Sequence, residues 1–203
     1  MNNQDVFINC PFSEDFKPFF HAMVFAVVRS GFTPRCALEA DDSSENRFDK
    51  ICQIIKQCDY GIHDISKIEL DEKSALPRFN MPLELGLFLA AKKFGNATQR
   101  RKKCIIFESR PYEYQKFISD IAGQDIHCHH KSLPKLFTEL SAWMRRENED
   151  GMVPGGNTIK KEYQKFQKAV PRLCRKIGLQ TSEMTYLDYR RMVEKWAVSS
   201  IVP

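Results

Sequence analysis

Short apolar runs alternate with longer segments of helical periodicity along the first part of the chain. Five runs have the length and flanking turn residues of buried strands; they cover residues 6–10, 33–38, 60–65, 103–109 and 125–129. The other segments have apolar positions at helical spacing; they cover residues 16–31, 46–58, 78–95, 114–123 and 132–147. Strands separated by such helices connect through right-handed crossovers. The pattern therefore predicts an α/β fold, with a five-stranded parallel sheet of the flavodoxin or Rossmann-like type and helices on both faces.

The C-terminal segment has a different pattern. The polar, glycine-containing stretch 149–157 is typical of a connector, and helical periodicity resumes over residues 159–178 and 187–198. We therefore predict two domains. Residues 1–150 would form an α/β nucleotide-binding-like domain, and residues 151–203 a basic C-terminal extension made of a helical pair.

The two segments also differ in net charge. The chain has a net charge of +5, and residues 157–203 hold ten Lys/Arg against four Asp/Glu, so they alone carry +6. A basic helical face can contact phosphates, so a nucleic-acid-associated adaptor is one hypothesis. Pro171 is expected to break or bend this face and no base-reading motif accompanies it, which disfavours nucleic acid as a partner. A solvated face or a docking surface is favoured instead, and the docking surface could form a homo-oligomer through the C-terminal helices.

The predicted helix within residues 78–95 holds one carboxylate, Glu84, in an almost wholly apolar run. Asn80 is expected to cap this helix, Pro82 to lie in its first turn and Gly95 to mark its end. The expected buried positions follow helical spacing; they are Leu83, Leu87, Ala90, Ala91 and Phe94. A first-turn charge at Glu84 would stabilise the helix terminus, which is the simplest structural role. Its apolar neighbours make ionisation costly unless a ligand lies nearby, which favours a functional role.

Composition limits the cellular location. The chain has 203 residues, of which 42% are hydrophobic, and no apolar run reaches the length of a membrane span. The N-terminal stretch MNNQDVFINC has neither a basic region nor a cleavable apolar segment. Seven cysteines without paired spacing fit reduced core thiols better than a disulfide framework. We therefore expect a cytoplasmic protein that does not associate with membranes.

Three loops are expected to meet beyond the carboxyl ends of the strands, where open α/β sheets bind ligands. They are NCPF after the first strand, DIS after the third strand, and RFNMPLE before the helix of Glu84. Neither G-x-G-x-x-G nor G-x-x-x-x-G-K-[ST] occurs. Hydride transfer on an ordinary Rossmann cradle and P-loop ATP hydrolysis are therefore disfavoured.

The segments VFINCPF, CDYGIHDIS and RFNMPLELGLFLAAKK, in this order, resemble the nucleoside 2-deoxyribosyltransferase and TIR-like superfamily. The resemblance covers residues 5–126 as an ordering of elements, and P-L-E-L-G is its sharpest part. It implies that Glu84 is the catalytic carboxylate and that Asp64 orients the substrate. It also implies residues that contact a base or ribose; these are Phe7, Asn9, Pro11 and Phe12. Asn80 and Met81, which lead into the helix, complete the predicted substrate-binding set.

The chemistry of glycosidic bonds supports this role for Glu84. Breaking an N-glycosidic bond builds positive charge on the sugar, which one well-placed carboxylate can stabilise or attack. The leading hypothesis is an N-glycosidase or (deoxy)ribosyltransferase-type enzyme in bacterial defence or signalling. Its substrate would be a nucleoside, a nucleotide or NAD, and no cofactor is expected. The alternative is a non-catalytic nucleotide-sensing module.

Other reactive residue types favour structural roles. Asp64 ends an apolar strand, where turn capping is the commoner role, and His63 is expected to face the opposite side of the sheet, as a core residue. The sequence HCHH at 127–130 alternates faces and has no second cluster at ligand spacing, so we assign no metal site and expect an ordinary edge strand. Cys10 fits a small buried hydrophobe better than a nucleophile.

Overall fold

The computed structural model describes residues 4–39, 42–67, 79–148 and 151–201. The strands are β1 (Asp5–Asn9), β2 (Thr33–Arg35), β3 (Tyr60–Asp64), β4 (Lys103–Glu108) and β5 (Ile126–Cys128). The helices are α1 (Lys17–Arg29), α2 (Arg47–Gln57), α3 (Asn80–Phe94), α4 (Ala97–Arg100), α5 (Leu133–Glu147), α6 (Gly156–Lys176) and α7 (Tyr186–Ile201). Within these described ranges, no helix combines the length and the hydrophobicity that a transmembrane segment needs.

The strands form one sheet in the order β2-β1-β3-β4-β5, which is the flavodoxin-like order. β1, β3, β4 and β5 pair in parallel, with Ile8 opposite Ile62 and Ile62 opposite Ile105. Val6 and Phe7 point to opposite faces because side chains alternate along a strand, and both are fully buried. Both faces of the sheet are therefore covered. The predicted α/β fold with a five-stranded parallel sheet and a C-terminal helical pair is confirmed.

Helices α2 and α3 pack on the face of the sheet that Phe7 occupies. The helical members of this core cluster are Ile51, Ile54, Ile55 and Phe88. The most buried positions of α3 are Met81, Leu85 and Phe88. The predicted burial is therefore wrong at Leu83 and Phe94, which are 54% and 79% exposed, and at Ala90, which is also exposed. Because α3 is apolar around most of its circumference, periodicity alone could not identify the stripe that packs on the sheet.

The segment 114–123, predicted as a helix, forms two short 3₁₀ turns instead, Glu113–Lys116 and Ser119–Ile121. Tyr112, just before them, adopts a left-handed backbone conformation with φ of 63°. Its N–H donates a 2.8 Å hydrogen bond to the carboxylate of Glu108. This side-chain contact with the backbone four residues further on fixes a tight turn where an α-helix would have to begin, so helical periodicity is overridden.

The chain divides into two compact units. The first consists of residues 1–20 and 35–132, with α2, α3 and most of the sheet. The second consists of residues 21–34 and 133–203, with most of α1 together with α5, α6 and α7. The predicted domain boundary at residue 150 concerns independent folding and stays a prediction.

Aromatic packing and an ion pair hold the second unit together. The ring of Phe25 in α1 lies 5.5 Å from that of Tyr163 and 5.4 Å from that of Phe166, both in α6. Arg29 binds the carboxylate of Glu162 through two hydrogen bonds of 2.6 and 3.2 Å. The N-terminal helix α1 thus shares a core with the C-terminal helix α6. The helix α6 continues through Pro171, so of the predicted break or bend the break does not occur.

Candidate functional site

Polar side chains stand at the carboxyl ends of four parallel strands. Asn9 ends β1, Asp64 ends β3 and Glu108 ends β4, while His129 directly follows β5. None of the four is more than 4% exposed. Buried polar groups are costly unless they bind one another or a ligand. Their position matches the edge at which α/β sheets bind ligands.

Glu84 lies in a groove between α2 and α3, with a cavity volume of about 320 Å³. The other lining residues come from these two helices and from Asn46, the N-cap of α2; they are Asn46, Arg47, Phe48, Ile51, Asn80, Leu83 and Leu87. Burial among these apolar side chains raises the pKa of Glu84 to about 7, and the nearby guanidinium of Arg47 opposes the shift. A carboxyl with this pKa exists in both protonation states near neutral pH. It can therefore act as an acid, a base or a nucleophile.

The position of Glu84 within α3 differs from the prediction. Asn80 is the first helical residue and not the cap, because Phe79 occupies the N-cap position without a capping side chain. The first turn holds no acidic residue, so Glu84 lies beyond it. The expectation of a first-turn charge is therefore wrong. Since the helix dipole acts mainly within the first turn, stabilisation of the helix end explains this half-buried carboxyl less well than ligand binding does.

Asp64 lies in a separate buried network with Ser66 and His129. Oδ1 of Asp64 accepts a 3.0 Å hydrogen bond from the backbone N–H of Ser66. Nδ1 of His129 accepts a 3.0 Å bond from the backbone N–H of Lys131, so the ring proton of a neutral His129 is on Nε2. Nε2 is 3.0 Å from Oγ of Ser66 and 3.1 Å from Oδ2 of Asp64. Only the contact with Ser66 has hydrogen-bond geometry, and Oδ2 accepts no hydrogen bond from any described residue.

This network is not the arrangement of a serine hydrolase. In such an enzyme the histidine carries its proton on the nitrogen that faces the carboxylate and accepts the serine proton on the other. Here Ser66 and Asp64 both face Nε2, and the backbone of Lys131 occupies Nδ1. His129 therefore has no lone pair directed at Ser66. Its geometry suits a donor that fixes a hydroxyl, and Asp64, which is fully buried, suits a positioning role.

A strained turn holds His129 in this orientation. His130 and Lys131 both have left-handed backbone conformations, with φ of 51° and 53°. Such a conformation costs a residue other than glycine about 1 kcal/mol or more. The turn directs the N–H of Lys131 at His129, and the ring of Phe19 lies 4.8 Å from the imidazole. Strain of this kind is retained mainly where a functional geometry requires it.

The network lies beside a second pocket, with a cavity volume of about 340 Å³. Its lining combines aromatic, hydroxyl and charged side chains; they are Asp15, Phe16, Phe19, Ser66, Lys67, Ser109, His129 and Lys131. Lys67 forms a 2.9 Å ion pair with Asp15. Glu84 and Asp64, the two predicted catalytic residues, therefore do not line the same pocket. The pocket beside Asp64 offers aromatic faces and ammonium groups, which suits a ligand with a ring and an anionic group.

The predicted substrate-binding residues are also dispersed. Five of them do not line the groove of Glu84; they are Phe7, Asn9, Pro11, Phe12 and Met81. Phe7 is fully buried in the core, so it cannot contact a substrate without rearrangement. Nδ2 of Asn9 donates a 2.8 Å hydrogen bond to the carbonyl oxygen of Met81, which ties the end of β1 to the start of α3. Of the predicted set, Asn80 alone lines the groove with Glu84.

Two histidines show where sequence reasoning succeeded and where it did not. His63 is fully buried, and its ring lies 4.9 Å from that of Phe88, as expected of a core histidine that contacts a helix. His129 was missed, because HCHH was interpreted as an edge strand. The signal was its position: His129 follows the last parallel strand, just as Asp64 ends the third. Among the described residues, no group of three or more His, Cys, Asp or Glu could hold a metal ion.

Cys10 lies near the carboxylates of Asp64 and Glu84. It is 2% exposed, and burial, followed by the charge of Asp64, raises the pKa of its thiol, with a smaller contribution from Glu84. The thiol is therefore protonated at neutral pH. A thiol in this state is a poor nucleophile, so Cys10 acts as a small apolar core residue.

Comparison with protein-family models finds no match for this chain, and comparison with curated proteins finds none either. The fold places the chain among α/β proteins with a flavodoxin-like strand order. A fold of this kind supports many functions, so function must be argued from the side chains at the site.

Proposed function

We propose that this protein cleaves or transfers the N-glycosidic bond of a nucleoside, a nucleotide or NAD, with Glu84 as the catalytic carboxylate. One observation carries the proposal. Glu84 lies in a groove between two helices that begin at the carboxyl side of the sheet, and burial raises its pKa to about 7. The groove volume of about 320 Å³ is at the lower end of the range of about 300–1,000 Å³ for small-ligand sites.

The groove supplies the groups that such a reaction needs. The ring of Phe48, which is 47% exposed, can stack against a base, and Asn80 can bind its polar edge. Arg47 can bind a phosphate or another anionic group of the substrate. The ionised carboxylate of Glu84 then faces the anomeric carbon.

The bond to the base breaks with both electrons moving to the base, which takes up a proton from solvent. A carboxylate oxygen of Glu84 stabilises the resulting sugar cation or bonds to its anomeric carbon. Water or an acceptor base then displaces the carboxylate, which restores Glu84. Because this role requires the ionised form, we expect turnover to increase with pH through the pKa of about 7.

A second candidate is a nucleotide-sensing module that binds without turnover. The pocket beside Asp64 supports it, because two lysines, Lys67 and Lys131, and two aromatic rings, Phe16 and Phe19, line a cavity without Glu84. That lining suits recognition better than chemistry, since His129 is held as a hydrogen-bond donor.

The test is incubation of the full chain with NAD and a panel of nucleosides and nucleotides. Chromatography measures released base, and calorimetry on the same panel measures binding. Base release by the wild-type chain that Glu84→Gln abolishes supports the enzyme. Saturable binding without released base, for every compound and with or without an acceptor base, would reject the enzyme and leave the sensing module.

A further inference from the structure

The second unit has an apolar groove between α6 and α7, and none of the residues of the proposed reaction lines it. Its cavity volume is about 410 Å³. The apolar lining residues are Leu173, Ile177, Met192 and Trp196. Ile177 is 65% exposed, which is unusual for a large aliphatic side chain next to other apolar groups. The groove therefore presents apolar surface that a ligand could cover.

Backbone geometry holds Ile177 at the groove. Gly178, with φ of 68°, provides the left-handed residue that ends α6. Its N–H donates to the carbonyl oxygen of Arg175 at 3.1 Å, and the N–H of Leu179 donates to that of Cys174 at 3.0 Å. These two bonds form a Schellman motif, which fixes the direction of the chain after the helix. The exposure of Ile177 thus belongs to a rigid helix end, and little entropy would be lost when a ligand covers it.

Positive charge surrounds this apolar lining. Lys176, Arg191 and Lys195 line the groove, and none of the three forms an ion pair with a described residue. Asp188 is the one acidic residue of the lining. Its carboxylate accepts hydrogen bonds from the N–H and Oγ of Thr185, at 3.1 and 2.6 Å, so it is engaged at the start of α7. Asp188 keeps its negative charge, and Arg191 is near enough to help lower the pKa of this carboxyl. With three cations against this one carboxylate, the net charge of the lining is positive.

We propose that this groove binds an acidic amphipathic helix of a partner protein. Apolar side chains at helical spacing would cover Ile177, Met192 and Trp196, and carboxylates beside them would pair with Arg191 and Lys195. Helices that insert an apolar face into a groove are a common mode of recognition. Opposite charge around such a groove directs association and selects the partner.

The same charges argue against two other occupants. In a symmetric dimer formed through this groove, like charges would face one another, because the two surfaces would be the same. Nucleic acid would pair with the lysines and arginines but would leave the apolar lining uncovered. An acidic amphipathic helix alone satisfies both the charge and the apolar surface.

The test is fluorescence polarisation with a labelled synthetic peptide that has leucine at helical spacing and glutamate at the remaining positions. A scrambled peptide of the same composition tests charge alone, and a labelled single-stranded oligonucleotide tests nucleic acid. We expect Ile177→Ser and Lys195→Glu each to weaken peptide binding by about tenfold. Arg172→Glu, an equal charge change at an exposed α6 residue outside the groove, is the control and should change binding by less than about twofold.

Thermal melts of all three variants establish that they are folded. The proposal is rejected if the helical peptide binds no better than the scrambled one, or if Ile177→Ser leaves its affinity unchanged. Tighter binding of the oligonucleotide, weakened equally by Arg172→Glu and Lys195→Glu, would assign the surface to nucleic acid. A dimer in light scattering that Ile177→Ser dissociates would assign it to a second copy of the chain. Either result overturns the proposal.

Discussion

Glu84→Gln separates the structural and the catalytic consequences of one buried carboxyl. Glutamine keeps the size of the side chain but cannot ionise. In the folded chain the pKa of Glu84 is about 7 rather than its usual 4.5, so between these values the folded state retains a proton that the unfolded state has released. Stability therefore falls as pH rises through this window, because ionisation inside the groove is unfavourable.

The magnitude follows from the two pKa values. Each pH unit between them corresponds to about 1.4 kcal/mol, which sets an upper limit of about 3 kcal/mol. Because the groove is open to water, we expect about 1–2 kcal/mol. The Gln variant avoids this cost. It should unfold with nearly the wild-type free energy at about pH 4, below the usual pKa of the carboxyl, and be more stable than wild type by about 1–2 kcal/mol at about pH 8.

Whereas Glu84→Gln should increase stability at about pH 8, it should decrease catalytic activity. If Glu84 stabilises the sugar cation, base release should fall by about 10²–10⁴-fold while substrate binding is retained. The variant would thus be more stable and less active, which is a common consequence of removing a strained catalytic group. Glu45→Gln, the same substitution at an exposed residue just before α2, is the matched control and should change neither quantity.

Urea unfolding at the two pH values and chromatographic base release measure both effects on the same preparations. A variant less stable than wild type by about 0.3–1 kcal/mol at about pH 8 would indicate a stabilising helix-end charge and refute the burial argument. Unchanged base release would remove Glu84 from the reaction even if the stability result held.

Three further predictions concern the fold. Gly61→Ala should lower the free energy of unfolding in urea by about 1–3 kcal/mol, because the added Cβ would lie 2.6 Å from Nε2 of His63. Gly86→Ala, where the added Cβ on α3 meets open space, is the control and should raise this free energy by about 0.5–1 kcal/mol. Equal effects of the two substitutions would contradict the packing around Gly61. Lys102→Met should lower the free energy of unfolding by about 1–3 kcal/mol, because the buried ammonium donates hydrogen bonds to two carbonyl oxygens at the end of α2. Lys116→Met, at an exposed position, is the control and should leave this free energy unchanged. A chain ending at residue 150 should melt at a lower temperature than the full chain, because α1 loses its aromatic contacts with α6. An unchanged melting temperature would instead show that the predicted boundary at residue 150 separates independent domains.

Much of the fold was predictable because its signals are local. Strands buried on both faces are short continuous apolar runs, and the helices between them have apolar positions at helical spacing, so the sequence alone identified a parallel α/β sheet. Periodicity failed where a specific contact decided the outcome. Glu108 fixes the turn at Tyr112 and prevents the predicted helix, and contact with the sheet selects Leu85 over Leu83 as the buried position of α3.

The candidate site, too, was predictable from the sequence only in part. The sequence by itself determined that Glu84 is an isolated carboxyl in an apolar helix and that Asp64 ends an apolar strand. Only the tertiary structure placed Glu84 in a groove and Asp64 in a separate buried network, where it lies next to His129, a residue 65 positions further along the chain. Strand order and the strained turn after β5 bring these side chains together, and neither leaves a periodic pattern in the sequence. The charge of Glu84 depends on how much water its neighbours exclude, which is a property of packing and not of composition.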